Sequence, residues 1–216
     1  MKIYCASDLH IGYENANYPK IEEFFDIVKE EKSNELILCG DVFDLWRCPF
    51  EIIKKERKST YKALLSVSKQ VPTTIIWGNH DYKLWKKVHL PIRVTDDFVW
   101  NNILFCHGWR FDMEQQLGRF LYGWLLNDNP YVYQSIFRKP SEIKKNEIKY
   151  TAQSKKVHEH AKNLIQKLKL NYVVMGHTHD PVEDGRLFDC GDMVDSLSYI
   201  VIDDQNVSPR LERMQH

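Results

Sequence analysis

Glu35-Leu36-Ile37-Leu38-Cys39-Gly40-Asp41-Val42-Phe43-Asp44 decides how this chain is read. Four consecutive apolar residues closed by a glycine have the length and composition of a buried strand. Gly40 permits a tight turn, and a carboxylate follows at once. The same grammar recurs outward in both directions. Lys2 to Ala6 runs into Ser7-Asp8-Leu9-His10, and Thr73 to Trp77 runs into Gly78-Asn79-His80-Asp81. Ile103 to Cys106 runs into His107-Gly108, and Tyr172 to Met175 runs into Gly176-His177-Thr178-His179. Five strand-like runs therefore each deliver oxygen or nitrogen donors at their C-terminal ends.

Between these strands the pattern is helical. Ile21, Phe24, Phe25 and Val28 recur at helical spacing within 19–31. A helix is expected across 50–70, with Ile53, Tyr61, Leu64, Leu65 and Val67 as core contacts. Phe98 to Trp100 and Ile103 to Cys106 read as a hairpin turned by Asn101-Asn102. A last strand is expected over 199–203. Strands alternate with helices early and become hairpin-like late, which predicts an α/β fold with mixed sheets. Residues 112–168 break the rhythm between the His107 and His177 strands. They read as a helical insertion, a cap beside the site within a single domain spanning 1–216.

A length of 216 residues suffices to bury a sizeable core. Thirty basic residues balance thirty acidic ones, so no global field argues for nucleic acid or an anionic membrane. Cys5, Cys39, Cys48, Cys106 and Cys190 are scattered and odd in number, and three of them lie inside apolar strands. They read as buried thiols rather than a disulfide framework, as in a reducing compartment. With no signal-peptide pattern and no apolar run of membrane-spanning length, a cytoplasmic location is expected.

The donors suit a pair of divalent cations, which sit about 3.5–4 Å apart around a bridging oxygen ligand. Asp41 is the candidate bridge, because each carboxylate oxygen can serve one ion. Asp8 and His10 lie two apart, as do His177 and His179, and on an extended segment such pairs point alike. Asn79 adds an amide oxygen and His107 an imidazole. Mixed oxygen and nitrogen donors suit Mn²⁺, Fe²⁺, Zn²⁺ or Co²⁺ better than Ca²⁺ or Mg²⁺, and Mn²⁺ is expected first. Phosphate-ester hydrolysis is the chemistry such a pair serves.

The ordered series Asp8-x-His10, Gly40-Asp41-x-x-Asp44, Gly78-Asn79-His80-Asp81, His107-Gly108 and Gly176-His177-x-His179 resembles the calcineurin-like metallophosphoesterases. That resemblance implies a two-sheet sandwich flanked by helices. It implies one metal held by Asp8, His10, Asp41 and His179, and another held by Asp41, Asn79, His107 and His177. His80 would act on the phosphoryl or leaving-group oxygen as general acid or electrostatic stabiliser. Asp81 would orient His80 through its other ring nitrogen. A water bridging both metals would supply the nucleophile. Asp44 reads either as a partner of a ligand imidazole or as a turn-capping carboxylate.

Within the family, Ser7 to Gly12, Gly40 to Trp46 and the tail Gly191 to Ser196 look most similar to the UDP-2,3-diacylglucosamine pyrophosphatase branch. Those enzymes carry Arg after the Asn of the third block, where this chain has His80, the general phosphoesterase form. The expected substrate is therefore a small phosphorylated molecule, nucleotide- or lipid-linked, without a closer assignment. A nuclease would be expected to add a basic, aromatic groove or a further domain. A non-catalytic binding module would have lost ligands, whereas all seven positions and His80 are kept.

Arg47, Lys83 and Arg110 flank metal blocks and are candidate phosphate contacts. Within the insertion, Phe111, Met113, Leu117, Phe120, Leu121 and Trp124 begin an apolar, aromatic stretch. It reads either as an acyl-binding or membrane-touching cap, or as helices packed on the core or on a second copy in a homodimer. A lysine-rich run over 138–169 follows. It reads as an attractor of anions or as a solvated helix face. His158 and His160, two apart on a helix, would not share a face and are not counted as ligands.

Overall fold

The computed structural model describes residues 1–82, 84, 88–112, 147–203 and 208–215, with the backbone alone for 147–151. Two sheets carry the chain. The first has strand order β11-β10-β1-β2-β3-β4, built from β1 (Lys2–Ala6), β2 (Glu35–Cys39), β3 (Thr73–Ile76), β4 (Arg93–Thr95), β10 (Ser198–Asp203) and β11 (Pro209–Arg213). The second has order β5-β6-β7-β9-β8, built from β5 (Phe98–Trp100), β6 (Ile103–Phe105), β7 (Tyr172–Met175), β8 (Val182–Asp184) and β9 (Leu187–Asp189). In the first sheet β1 to β4 run parallel, while β10 pairs antiparallel with both β1 and β11. In the second, β6, β7 and β9 run parallel between antiparallel edges β5 and β8. Both sheets are mixed, as the alternation of strands and helices predicts.

Strand alternation explains the layering. Successive side chains point to opposite faces. Ile3 and Cys5 of β1, Ile37 and Cys39 of β2, and Ile200 and Ile202 of β10 pack against Ile103, Phe105, Val174 and Phe188 of the second sheet. The alternate residues Tyr4, Ala6, Leu36, Leu38 and Val201 face the other way, onto Ile21, Phe24, Phe25, Leu64 and Val67. Those come from α1 (Tyr18–Glu30) and α3 (Lys58–Gln70). On the outer face of the second sheet, Leu104, Val173, Met175 and Leu187 meet Val157, Ala161 and Ile165 of α4 (Glu147–Leu168). The result is a two-sheet sandwich flanked by helices. Cys5, Cys39, Cys106 and Cys190 are buried thiols and Cys48 is half-buried, all of them free.

The helix expected across 50–70 is two helices. It divides into α2 (Phe50–Glu56) and α3 at Arg57, which leaves helical geometry (φ −110°, ψ 38°) and sets its guanidinium 4.5 Å from the Tyr18 ring. Four short strands, β4, β8, β9 and β11, carry no sequence signal that singles them out. Asn101 and Asn102 both take positive φ (46° and 61°), the requirement of a two-residue hairpin turn between β5 and β6. Of the insertion expected over 112–168, α4 lies on the second sheet. Its apolar stretch from Met113 to Phe137 lies outside the described residues, as do the expected cap, membrane contact and dimer surface. No helix among the described residues is long and apolar enough to cross a membrane.

Candidate metal centre

Because β1, β2 and β3 run parallel, the segments that follow them leave the sheet at one edge, where ligand sites of α/β sheets form. The segments after β6 and β7 come to the same place. Here the backbone departs from the extended geometry expected of Asp8-x-His10 and His177-x-His179. Asp8, His10, Asp41, His177 and His179 all take positive φ, between 47° and 87°. Asp and His tolerate this region better than most residues, at a cost on the order of 1–3 kcal/mol each. The surroundings hold it. The amides of Asp8 and His10 donate to the carbonyls of Gly40 (3.0 Å) and Asp41 (2.9 Å), lacing the two turns together.

The donor atoms converge. His10 Nε2 and His179 Nε2 stand 3.3 Å apart, and Asp8 Oδ1 lies 3.2 Å from His179 Nε2 and 3.7 Å from His10 Nε2. On the other side, Asp41 Oδ2 lies 3.4 Å from His107 Nε2, which is 3.2 Å from Asn79 Oδ1. Asp8, His10, Asp41, Asn79 and His107 are all buried. Among the described residues, three groups have mutually close candidate ligand atoms: Asp8, His10 and His179; His10, Asp41 and His80; and Asp8, Asp41 and His107.

The opposite nitrogen of each ring faces a carbonyl or a carboxylate, although His10 Nδ1 and Asp192 Oδ2 are buried without a hydrogen bond and meet their partners only at ion-pair distance. His107 Nδ1 donates to the Cys39 carbonyl at 2.7 Å. His179 Nδ1 lies 3.1 Å from Asp192 Oδ2, and His10 Nδ1 3.5 Å from Asp44 Oδ2. His177 Nε2 pairs with Asp112 Oδ2 at 3.2 Å, which leaves Nδ1 as the nitrogen for a ligand. Outer carboxylates and carbonyls of this kind fix ring orientation and tautomer in metal sites. Neither Asp112 nor Asp192 stood out in the sequence, because each meets its histidine only through the fold. Asp112 closes the 3₁₀ turn Gly108–Phe111 that follows His107, a spacing visible only once that turn is known.

Although burial opposes it, the surrounding imidazoles hold the carboxyls of Asp8 and Asp41 well below their ordinary range. Against the same penalty, the carboxylates push the imidazoles of His10 and His107 up to about 9 and raise that of His179. Carboxylates held ionised among buried imidazoles form a mixed donor set of the kind that binds cations. Asp8 Oδ2 is occupied by the His177 amide at 2.8 Å, whereas Asp8 Oδ1 is buried without a hydrogen-bond partner. An orphaned buried carboxylate oxygen facing two imidazole nitrogens fits a divalent cation of borderline softness.

One expected contact is replaced by another. Asp81 does not orient His80: its carboxylate accepts from the amides of Gly78 (2.6 Å), Val42 (2.9 Å) and Phe43 (3.3 Å). It braces the turn after β3 against the turn after β2, and burial beside Asp41 pushes its carboxyl up to about 7. Asp44 stands at His80 Nδ1 instead, at 3.0 Å. It also accepts from the Arg47 amide at 3.2 Å, so both readings of Asp44 describe the same side chain. His80 Nε2 faces inward, 4.0 Å from Asp41 Oδ2, with the Trp46 ring stacked on it at 4.0 Å between centroids.

Arg47 pairs with Asp44 and lies over the Tyr13 ring at the rim. Arg110 turns to Asp97 (3.2 Å) and Asp96 (3.4 Å), with its guanidinium 5.6 Å from the Trp77 ring. Lys83 lies outside the described residues. His158 and His160 take up structural bonds: His158 Nε2 meets Asp189 Oδ2 at 3.0 Å, and His160 Nδ1 donates to the Phe111 carbonyl at 2.8 Å.

The fold has relatives of known structure at low identity. A Thermus thermophilus protein, TT1561, superposes with a TM-score of 0.51 at 11% identity, covering 98% of each chain. YfcE, a phosphoesterase from E. coli, gives 0.48 at 19% identity over 94% of this chain and 89% of its own. A Vps29 single mutant from Entamoeba histolytica gives 0.49 at 14% identity, covering 99% of this chain and 98% of that one. No curated protein matches the sequence. The family model for calcineurin-like phosphoesterases matches residues 1–181, a span that contains every one of the five donor blocks, and the chain therefore belongs to the calcineurin-like phosphoesterase family.

Proposed function

We propose that this chain is a metal-dependent phosphoesterase that hydrolyses a phosphodiester or pyrophosphate bond of a small molecule. The observation that carries the reading is the meeting of Asp8, His10, Asp41, Asn79, His107 and His179 donor atoms at one buried edge, around a carboxylate oxygen with no partner. Asp8, His10, Asp41 and His179 would hold one cation, and Asp41, Asn79, His107 and His177 the other. When bound, the two cations, Mn²⁺ foremost, lower the pKa of coordinated water toward neutrality and offset phosphoryl charge.

The protein's own groups do the rest. His80, with Nδ1 held by Asp44 and Nε2 turned to the site, carries the proton that the departing oxygen takes up. The Trp46 ring covers one face of His80 and limits its rotation. Asp81 keeps the β3 turn in register with Asp41 and takes no part in proton transfer. Arg47, at the rim beside Asp44, is placed to meet a phosphate oxygen of the substrate. Arg110, engaged by two carboxylates, has less positive charge to offer. The wording of the Asp8, Asp41 and Asp192 segments supports a nucleotide- or lipid-linked pyrophosphate as substrate, and His80 in place of Arg supports a broader range.

The test is direct. Chelated protein reloaded with Mn²⁺ should hydrolyse bis-p-nitrophenyl phosphate or a UDP-sugar conjugate, and lose that activity on renewed chelation. Metal-dependent turnover of single-stranded DNA alone would replace this reading with that of a nuclease.

A further inference from the structure

Helix α4 reaches the candidate centre, and none of its described side chains is a candidate ligand. Gln153 Nε2 donates to Asp112 Oδ2 at 2.6 Å, and the same carboxylate oxygen lies 3.2 Å from His177 Nε2. Two turns further along, His160 Nδ1 donates to the carbonyl of Phe111, the residue before Asp112. The helix therefore grips the 3₁₀ turn after His107 at two adjacent residues. It also holds the other flank of His177. His158 Nε2 meets Asp189 Oδ2 at 3.0 Å, and Thr178 Oγ1 donates to the same oxygen at 2.8 Å. Asp112, His158 and Asp189 are buried, and Val157, Ala161 and Ile165 anchor the helix on the second sheet.

We propose that Asp112, fixed by Gln153 of α4, is the positioning residue of His177: it holds the ring through Nε2 and thereby presents Nδ1 to the cation shared with His107 and Asn79. The inference rests on the two-cation reading above. His177 is the ligand most in need of such a hold. Its backbone takes φ 87°, and its own amide is spent on Asp8 Oδ2. A ring left to rotate about its side-chain bonds would present either nitrogen. A carboxylate at Nε2 selects the tautomer with the proton there, and the free electron pair then lies on Nδ1.

The test titrates chelated wild type, Asp112→Ala, Asp112→Asn and Gln153→Ala with Mn²⁺ by calorimetry, with the circular dichroism spectrum of each as a folding check. Wild type should take up two ions. Asp112→Ala should bind one as wild type does and the other about 10–100-fold more weakly. Asp112→Asn, which still offers an oxygen to Nε2–H, should recover most of the loss, and Gln153→Ala should show a smaller loss in the same direction. Equal weakening at both sites, or none, would overturn the proposal. Should Asp112→Ala fail to fold, Gln153→Ala, at a half-buried position on the helix surface, decides alone. If wild type takes up only one ion, the two-cation reading fails, and the ¹⁵N shifts of His177 in the metal-free protein settle the positioning role separately. A proton resident on Nε2 in wild type and distributed over both nitrogens in Asp112→Ala supports it, and an unchanged tautomer refutes it.

Discussion

Asp44 serves two imidazoles with one carboxylate, His80 through Oδ1 and His10 through Oδ2. His10 faces the candidate ligand cluster, whereas His80 meets Asp41 through its backbone amide, which donates to Oδ1 at 2.8 Å, and keeps its ring Nε2 4.0 Å from Oδ2. The two rings therefore separate by substitution. His80→Ala should keep both Mn²⁺ ions and lower kcat by about 10²–10⁴-fold, the usual contribution of a positioned acid. Asn79→Ala should lose one ion, read by elemental analysis of dialysed protein. A missing ion in His80→Ala would make it a ligand and refute its assigned role. At this scale the sequence shows the candidate ligands well, because each sits in a short block at the end of an apolar run. It shows their partners poorly. Asp81, next to His80 in the chain, is turned to backbone amides, while Asp44, thirty-six residues away, holds the ring. Such pairings depend on which turns the sheet brings together.

The elements carry the precision of the site. Gly176 shows how little slack exists between the turn after β7 and that after β1. A Cβ at this position would lie 1.8 Å from Ser7 Oγ and 2.5 Å from Asp8 Oδ2. Gly176→Ala should destabilise the fold by about 1–3 kcal/mol, as overpacking does, and weaken cation binding through Asp8. Urea denaturation and Mn²⁺ titration measure the two effects, and wild-type values in both would show that the turns yield. A second element-level expectation concerns the end of β9. Burial raises the Asp189 carboxyl above its ordinary value. The folded chain thus binds this proton more tightly than the unfolded chain. The stability so gained is full below about pH 4 and is lost as pH rises through the folded value. The stability of wild type relative to Asp189→Asn should therefore fall as pH rises above about 4. A difference that grows with pH would contradict the assigned direction. Helix α1, strands β1 to β3 and the Asn101-Asn102 hairpin are legible in the sequence because periodicity and turn chemistry agree. β8 and β11 are not, since Val-Glu-Asp and Pro-Arg-Leu-Glu-Arg carry the charges and proline that suit sheet edges.

For the whole molecule, the proposed cation binding would be linked to folding. A pocket of carboxylates and imidazoles that forms only in the folded chain adds RT ln(1 + [L]/Kd) to stability, about 2.7 kcal/mol at a hundredfold excess over Kd. For a chain of this size, that raises Tm by roughly 5–11 °C. Thermal melts with Mn²⁺ and with chelator should differ by this order, and coincident melts would deny that the pocket binds Mn²⁺. The sandwich and its mixed sheets are legible from the order of strand-like runs and from the family resemblance. The layering is not, because it depends on which face of each strand meets which sheet.

The pairing of β1 between β2 and β10 sets a timetable for the newborn polypeptide. Lys2 to Cys5 bond to Ile200 to Asp203, far along the sequence, and Met193 donates to the Asp8 carbonyl. Strand β1 thus cannot be sealed until β10 has been synthesised. Asp192, which faces His179 at ion-pair distance, arrives only after residue 181, where the family match stops. A message truncated there would encode all five donor blocks and still yield a protein with an open sheet edge and a histidine without its facing carboxylate.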